Sequence, residues 1–135
     1  MKIVVAAIMQ RNGKVLIARR APDQPLAGQW EFPGGKMEPG ESPKECLARE
    51  LKEELDLEVA IGDFFSETTY TYSTGTVRLL TYLVKVEDKN MESKVHDALA
   101  WVEPEGIGNY DILPADLPIV EELVALEQKR ISRNT

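Results

Sequence analysis

Three glutamates stand close together in the segment RELKEELDL, residues 49–57. Glu50, Glu53 and Glu54 have the spacing i, i+3 and i+4, so on a helix all three carboxylates can reach one point. A hard divalent cation such as Mg²⁺ or Mn²⁺ prefers carboxylate oxygens and would relieve the repulsion between these like charges. Taken alone, however, the spacing favours the commoner alternative, a solvated acidic helix face.

The surrounding sequence predicts a helix over residues 43–57 that carries these glutamates. Ser42 suits the N-cap, Pro43 suits the first helical position, and Glu45 completes a capping box. An apolar stripe is formed by leucines at a spacing of four residues: Leu47, Leu51 and Leu55. Glu54 borders this stripe, where a carboxylate is partly desolvated and costly unless it is paired. This position favours the metal site.

A shaped loop precedes the helix. The segment FPGGKMEPGE, residues 32–41, holds three glycines and two prolines, which is too many for a regular element. A short strand, Trp30 to Pro33, is predicted to lead into it. The tripeptide GGK is not a phosphate-binding P-loop, because the rest of that motif is missing.

Composition limits the class of protein. The chain has 135 residues, of which 43% are hydrophobic, and this predicts a single domain over 1–130 with a frayed tail at 131–135. The net charge of −7 argues against nonspecific binding to nucleic acid or to an anionic membrane. The single cysteine, Cys46, excludes an internal disulfide and fits the reducing cytoplasm, and its place in the helix predicts a buried apolar residue.

The remaining segments predict strands and a second helix. MKIVVAAIMQ could open a signal peptide, but no small-residue cleavage site follows, and a hairpin turned at Asn12-Gly13 fits better. Segments rich in β-branched and aromatic residues predict a meander after the first helix and one further strand: 58–65, 66–73, 76–87 and 98–102. An amphipathic helix is predicted from Asp116 to Arg130. We therefore expect an α+β domain with one mixed sheet between helices, and no membrane span.

The segment 35–57 resembles the signature of the Nudix family, Gly-x5-Glu-x7-Arg-Glu-U-x-Glu-Glu-x-Gly-U with U apolar. The matching residues are Gly35, Glu41, Arg49, Glu50, Leu51, Glu53, Glu54 and Leu57. Asp56 departs from the pattern, because the family has its second glycine there. That position follows the helix end, so a left-handed backbone is predicted, which Asp tolerates better than most residues. The segment 18–36 and the order of elements also resemble MutT-type members, and this resemblance implies the Nudix α/β/α fold.

The resemblance implies hydrolysis of a nucleoside triphosphate to a monophosphate and pyrophosphate. It implies a metal site, for Mg²⁺ with Mn²⁺ as the alternative ion, made by four residues: the Gly35 carbonyl and the side chains of Glu50, Glu53 and Glu54. Glu53 or Glu54 would also serve as the base. Arg49 would orient the glutamates through an ion pair, and Glu41 would brace the loop.

Further candidate residues are expected around this metal site. Arg20 and Lys36 are candidates to meet the phosphates, and the alternative for both is a solvated cation. Relatives often carry a further glutamate six residues before the strand Trp, where this chain has Val95. The nearby substitutes are Glu92, His96 and Asp97, although a surface histidine is the more common reading of His96. The general base is left open.

Asp116 is the candidate residue for selecting the nucleobase of the substrate. Relatives that remove oxidised dGTP have Asn at this position, which donates and accepts, whereas a carboxylate accepts only and suits the exocyclic amine of cytosine. Glu31 is a second hydrogen-bond acceptor near the nucleobase. The competing interpretation makes Asp116 the N-cap of the last helix.

The sequence therefore predicts a cytoplasmic, Mg²⁺-dependent pyrophosphohydrolase similar to the Nudix branch that hydrolyses CTP. The first alternative is an 8-oxo-dGTP diphosphatase. The second alternative is a Nudix module that binds nucleotide without hydrolysis, and Val95 is the one hint in its favour. The expected partner is a nucleoside triphosphate, with neither nucleic acid nor membrane, and the expected state is a monomer or homodimer.

Overall fold

A mixed β-sheet forms the middle layer of the protein. The computed structural model describes residues 1–87 and 90–133. In these residues the sheet has seven strands, which are β1 (Lys2–Arg11), β2 (Lys14–Arg20), β3 (Trp30–Glu31), β4 (Gly34–Lys36), β5 (Phe64–Tyr72), β6 (Gly75–Lys85) and β7 (His96–Val102). The main order is β3-β2-β1-β6-β5, with β4 on β1 and β7 on β2. Strand β1 runs parallel to β6, and the other pairs are antiparallel.

Helices cover both faces of the sheet. Helix α1 spans Pro43–Leu55 and helix α2 spans Leu117–Arg133, with a short 3-10 helix at Pro104–Asn109. Alternate residues of β1 point to opposite layers, because successive strand side chains alternate in direction. Val5 and Met9 pack with α1, whereas Ala6 and Ile8 pack with α2. The predicted α+β sandwich is confirmed.

The first hairpin turns as predicted. Asn12 and Gly13 both have positive φ values, 53° and 77°, as a two-residue hairpin turn requires. The turn keeps β2 beside β1, so that the end of β2 lies near the entrance to the glycine-rich loop.

Helix α1 begins with the predicted capping box on Ser42 and Glu45. It ends at Leu55 rather than at Leu57, because Asp56 adopts the predicted left-handed conformation, with φ 52° and ψ 41°. Leu57 is nevertheless buried with the leucine stripe. Cys46 is also fully buried, as predicted.

One strand of the meander predicted after α1 does not form. Residues 58–63 form no regular element, and a single hairpin, β5-β6, follows. Val59 and Ile61 pack against the α1 side of the core instead of joining the sheet. The Gly62 amide donates to the Leu83 carbonyl at 2.8 Å, which leads the chain to the sheet edge where β5 begins.

Helix α2 extends beyond its predicted end. Residues 131–133, predicted to be frayed, are helical, and the last two tail residues lie outside the described part of the chain. No helix within residues 1–87 and 90–133 has the length and apolar character needed to cross a membrane.

Candidate active site

One cleft brings together most of the residues that the sequence nominated. It has a volume of about 550 Å³ and lies between β3, β4, α1, the start of β7 and the start of α2. Its lining includes Arg20, Glu31, Gly35, Lys36, Glu50, Glu54, Val95, His96 and Asp116. Predicted metal ligands and predicted substrate contacts therefore share one space.

Arg49 ties the loop to the acidic helix. Its guanidinium donates two hydrogen bonds to the Glu41 carboxylate, at 2.6 and 3.0 Å, and one to Glu50 at 2.9 Å. It also donates to the Lys36 carbonyl at 3.2 Å. The Glu41 carboxylate accepts a further bond from the Glu38 amide at 2.9 Å. Arg49 and the loop amide hold the pKa of Glu41 at about 2, well below its usual range.

Glu50 lies directly against the loop. Its side chain is 14% exposed, and its carboxylate packs on the Cα of Gly35. A methyl group at Gly35 would lie 2.1 Å from Glu50 Cδ, so only glycine leaves room for this carboxylate. The glycine of the motif at this position thus has a steric reason in this chain.

Glu54 is the buried member of the acidic set. Its Oε2 atom is buried and has no hydrogen-bond partner among the described residues. Burial, and secondarily the charge of Glu50, raises the pKa of Glu54 to about 8. An unpaired carboxylate oxygen beside a second carboxylate in a cleft fits a divalent cation, because the cation would pair both charges.

Glu53 stands apart from the other two glutamates. Its side chain is 59% exposed and accepts a bond from Arg49 at 3.2 Å. As the side chains stand, no set of three or more His, Cys, Asp or Glu residues in the described ranges is placed to hold a metal ion. The geometry therefore brings Glu50 and Glu54 together, and Glu53 stays a predicted ligand.

Arg20 and Glu31 contact each other. Arg20 Nη1 lies 3.1 and 3.0 Å from the two Glu31 oxygens, and Arg20 Nε donates to the Pro25 carbonyl at 2.6 Å. Their side chains are only about one fifth exposed. Arg20 is therefore ion-paired and largely buried rather than solvated, and its contact with the phosphates stays a prediction. Lys36 is exposed at the cleft.

His96 is not the surface residue that sequence reasoning favoured. Its side chain is 3% exposed, and its ring bonds to Glu31 at 2.9 Å and to Ser93 at 3.1 Å. Of the other substitutes for the missing glutamate, Glu92 is exposed and Asp97 pairs with Arg19 at 2.7 Å.

Asp116 sits deep in the cleft wall and is 4% exposed. Its Oδ2 accepts a hydrogen bond from the Phe32 amide at 3.0 Å, while the first-turn amides of Ile119 and Val120 bond to its backbone carbonyl. The Asp116 side chain thus bonds to the loop and not, as the N-cap interpretation required, to the helix. Burial raises the pKa of Asp116 to about 8, so its carboxyl group can donate as well as accept at neutral pH, and the prediction that Asp116 only accepts is wrong.

Sequence reasoning missed one wall of the cleft. Strands β5 and β6 contribute an apolar surface that includes Tyr72, Val77 and Leu79. The Tyr72 hydroxyl accepts a bond from the Ala115 amide at 3.0 Å, which ties this wall to the segment before α2. These residues read as ordinary strand residues, and no motif signalled that they border a site.

The fold and cleft define a class of protein: a sandwich with an acidic loop and helix beside a pocket of mixed polarity, suited to phosphate chemistry on a nucleotide-sized ligand. The NUDIX domain model matches residues 1–123. The chain belongs to the Nudix hydrolase family.

The sequences of several curated relatives align with nearly the whole chain. The CTP pyrophosphohydrolase of Escherichia coli strain K12 is 39% identical over 94% of this chain and 94% of its own. The 8-oxo-dGTP diphosphatase of the same strain is 31% identical over 93% of this chain and 98% of its own. The solution structure of the E. coli ORF135 protein superposes with a TM-score of 0.84 at 39% identity, covering 96% of this chain and 93% of that one.

Proposed function

We propose that this protein is a Mg²⁺-dependent nucleoside triphosphate pyrophosphohydrolase that converts CTP or dCTP to the monophosphate and pyrophosphate. The carrying observation is the placement of Glu54 beside Glu50 in the cleft, where the Glu54 Oε2 is buried and has no hydrogen-bond partner among the described residues. A solvated acidic face would leave no carboxylate oxygen in that state, because water would hydrate it.

The residues that would hold the metal are Glu50, Glu54, Glu53 and the Gly35 carbonyl. Nudix hydrolases depend on divalent ions, and Mg²⁺ is the ion proposed here. When bound, it would neutralise phosphate charge and activate water for attack on phosphorus. Glu53 would need a different side-chain conformation, since it now faces Arg49.

The protein's own groups account for orientation and proton transfer. Arg49 holds Glu41, Glu50 and Glu53 at 2.6 to 3.2 Å and so sets the carboxylates relative to the loop. Lys36, exposed at the cleft, would meet the phosphates. Glu54 would accept a proton from the attacking water as the general base. Glu53 is the alternative base.

The residues proposed to contact the nucleobase are Glu31 and Asp116. A protonated Asp116 can donate to N3 of cytosine, and the Glu31 carboxylate can accept from the 4-amine. Uracil presents a donor and an acceptor in the opposite places, so it is mismatched at both. The 39% identical relative named CTP pyrophosphohydrolase supports this choice.

The second candidate function is 8-oxo-dGTP hydrolysis. Guanine also offers an acceptor, O6, beside ring and exocyclic N–H donors, so the same pair of acidic residues could bind it. The 31% identical 8-oxo-dGTP diphosphatase favours this alternative.

The test is a product assay across CTP, dCTP, UTP, dUTP, dGTP and 8-oxo-dGTP, with Mg²⁺, Mn²⁺ or a chelator. We expect release of pyrophosphate only with a divalent ion, and the highest kcat/KM for a cytidine nucleotide. The highest value for 8-oxo-dGTP would favour the second candidate. Binding without hydrolysis of any nucleotide would overturn both and leave the non-catalytic module.

We also propose a cytoplasmic protein that acts as a monomer or homodimer and does not bind nucleic acid. The net charge of −7 supports the last point, because it repels a polyanion. Sedimentation analysis would establish the assembly state, and retention of DNA or RNA at low salt would contradict the proposal.

A further inference from the structure

His96 is the first residue of β7 and lies in the wall of the cleft. Its ring touches two polar groups, the Glu31 carboxylate through Nε2 at 2.9 Å and the Ser93 hydroxyl through Nδ1 at 3.1 Å. Since the side chain is 3% exposed, it has little surface left for a substrate. Any influence of His96 on a bound nucleotide therefore passes through Glu31.

The contacts with Ser93 and Glu31 both indicate which ring nitrogen of His96 carries the proton. Ser93 Oγ accepts hydrogen bonds from two backbone amides, those of Val95 at 3.2 Å and His96 at 2.9 Å. A hydroxyl has two acceptor positions and one hydrogen, so with both acceptor positions used its hydrogen points to Nδ1. Nδ1 is then an acceptor, and the proton resides on Nε2, which donates to Glu31.

Glu31 is held from two sides. Arg20 Nη1 donates to both carboxylate oxygens and His96 donates to Oε2, while Arg20 is itself anchored on the Pro25 carbonyl. Oε1 accepts one bond from Arg20 and keeps capacity for another donor. The residue after Glu31 is Phe32, whose amide bonds to Asp116. The two proposed base contacts thus belong to one connected hydrogen-bond network.

We propose that His96 is a positioning residue for selection of the nucleobase, and that Ser93 keeps Nδ1 an acceptor while Nε2 holds the Glu31 carboxylate toward the exocyclic amine of the nucleobase. This inference rests on the proposed function, because it takes Glu31 as a contact to the base. It adds Ser93 and His96 to the residues that determine specificity.

The tautomer can be measured without any nucleotide. His96 is the only histidine of the chain, so its ring resonances in a long-range ¹H–¹⁵N correlation spectrum are assigned by inspection. We expect a pyrrole-type Nε2 and a pyridine-type Nδ1 in the free parent protein at neutral pH. Ser93→Ala removes the donor to Nδ1 and should move the Nδ1 resonance, whereas Glu31, which can only accept, keeps the proton on Nε2. A parent ring protonated on Nδ1, or averaged between tautomers, overturns the proposal.

A matched pair of variants tests the effect on specificity. His96→Gln places an amide N–H near the position of Nε2 and can still donate to Glu31. His96→Asn reaches only as far as Nδ1, so it keeps the Ser93 contact and loses Glu31. The readout is the kcat/KM ratio for dCTP over dUTP, which differ at position 4 of the base.

We expect the Asn variant to lower this ratio about tenfold or more, and the Gln variant to stay within about threefold of the parent. Thermal unfolding of both variants checks that the fold survives. Equal ratios in the two variants overturn the proposal. A parent that does not prefer dCTP over dUTP contradicts the proposed function, whereas the ring tautomer tests the Ser93–His96–Glu31 chain independently of any substrate.

Discussion

The carboxylate of Glu50 rests on the Cα of Gly35, so closely that a Cβ at Gly35 would lie 2.1 Å from Glu50 Cδ. The contact joins the glycine-rich loop to α1 at the centre of the site. Because the Glu50 side chain is also bonded to Arg49 at 2.9 Å, it cannot move away without losing that ion pair.

Gly35→Ala is therefore expected to lower kcat/KM about a hundredfold, since the methyl group must displace a proposed metal ligand. Gly108→Ala is the matched control, because a methyl group there meets no atom within 4 Å. Steady-state hydrolysis and thermal unfolding of both variants make the comparison. Near-parental activity in Gly35→Ala would contradict the role given to Glu50.

Replacing the buried or the exposed glutamate should remove activity without unfolding the protein. We expect Glu54→Gln or Glu53→Gln to lower kcat by about two orders of magnitude or more, because each removes a charge from the metal site. Isothermal titration with Mg²⁺ should show weaker binding in both variants. Near-parental turnover at saturating Mg²⁺ in either one would mean that the site is wrongly assigned.

Glu41 is expected to act through Arg49 and not as a ligand. Glu41→Gln weakens the paired contact at 2.6 and 3.0 Å, so activity should fall at every Mg²⁺ concentration. Full rescue by high Mg²⁺ would instead identify Glu41 as a ligand. The depressed pKa of about 2 predicts that this contact stabilises the fold above about pH 4.5 and is lost as the pH falls toward 2. Acid unfolding of parent and variant would measure that difference.

Asp116 predicts a pH-dependent choice of base. Its pKa of about 8 means that it donates at neutral pH and only accepts at higher pH. The kcat/KM ratio for dCTP over dUTP should therefore fall as the pH rises through about 8 in the parent. In Asp116→Asn, which keeps a donor at every pH, the ratio should stay level. Parallel pH profiles of this ratio in both proteins would contradict the assignment.

The raised pKa of Asp116 also makes the free energy of unfolding depend on pH. Because the folded-state pKa of Asp116 is raised, the folded state binds an extra proton between about pH 4 and pH 8, and the free energy of unfolding falls as the pH rises through that window. Asp116→Asn removes this contribution, so its stability should fall less. Denaturant unfolding without metal, at the two ends of the window, measures the difference.

Short-range patterns in the sequence were sufficient for much of the structure. The capping box, the leucine stripe and the hairpin at Asn12-Gly13 were predicted because each depends on residues within a few positions of one another. The left-handed Asp56 was predicted from the family signature. The family signature likewise lies within 23 residues, and most of it falls on the one loop and one helix that meet at the cleft. Residues 58–63 were misread, since β-branched composition does not say whether a strand finds a partner.

The tertiary structure alone decided the details of the site. The bond between His96 and Glu31 joins residues 65 positions apart, so no local pattern could show that the histidine is buried and paired. The raised pKa values of Asp116 and Glu54 follow chiefly from desolvation, which depends on how α1, α2 and the loop pack around the cleft. A sequence shows which groups can titrate and bind. Their burial and their partners, which set the charge that each group carries, are determined only when distant elements come together.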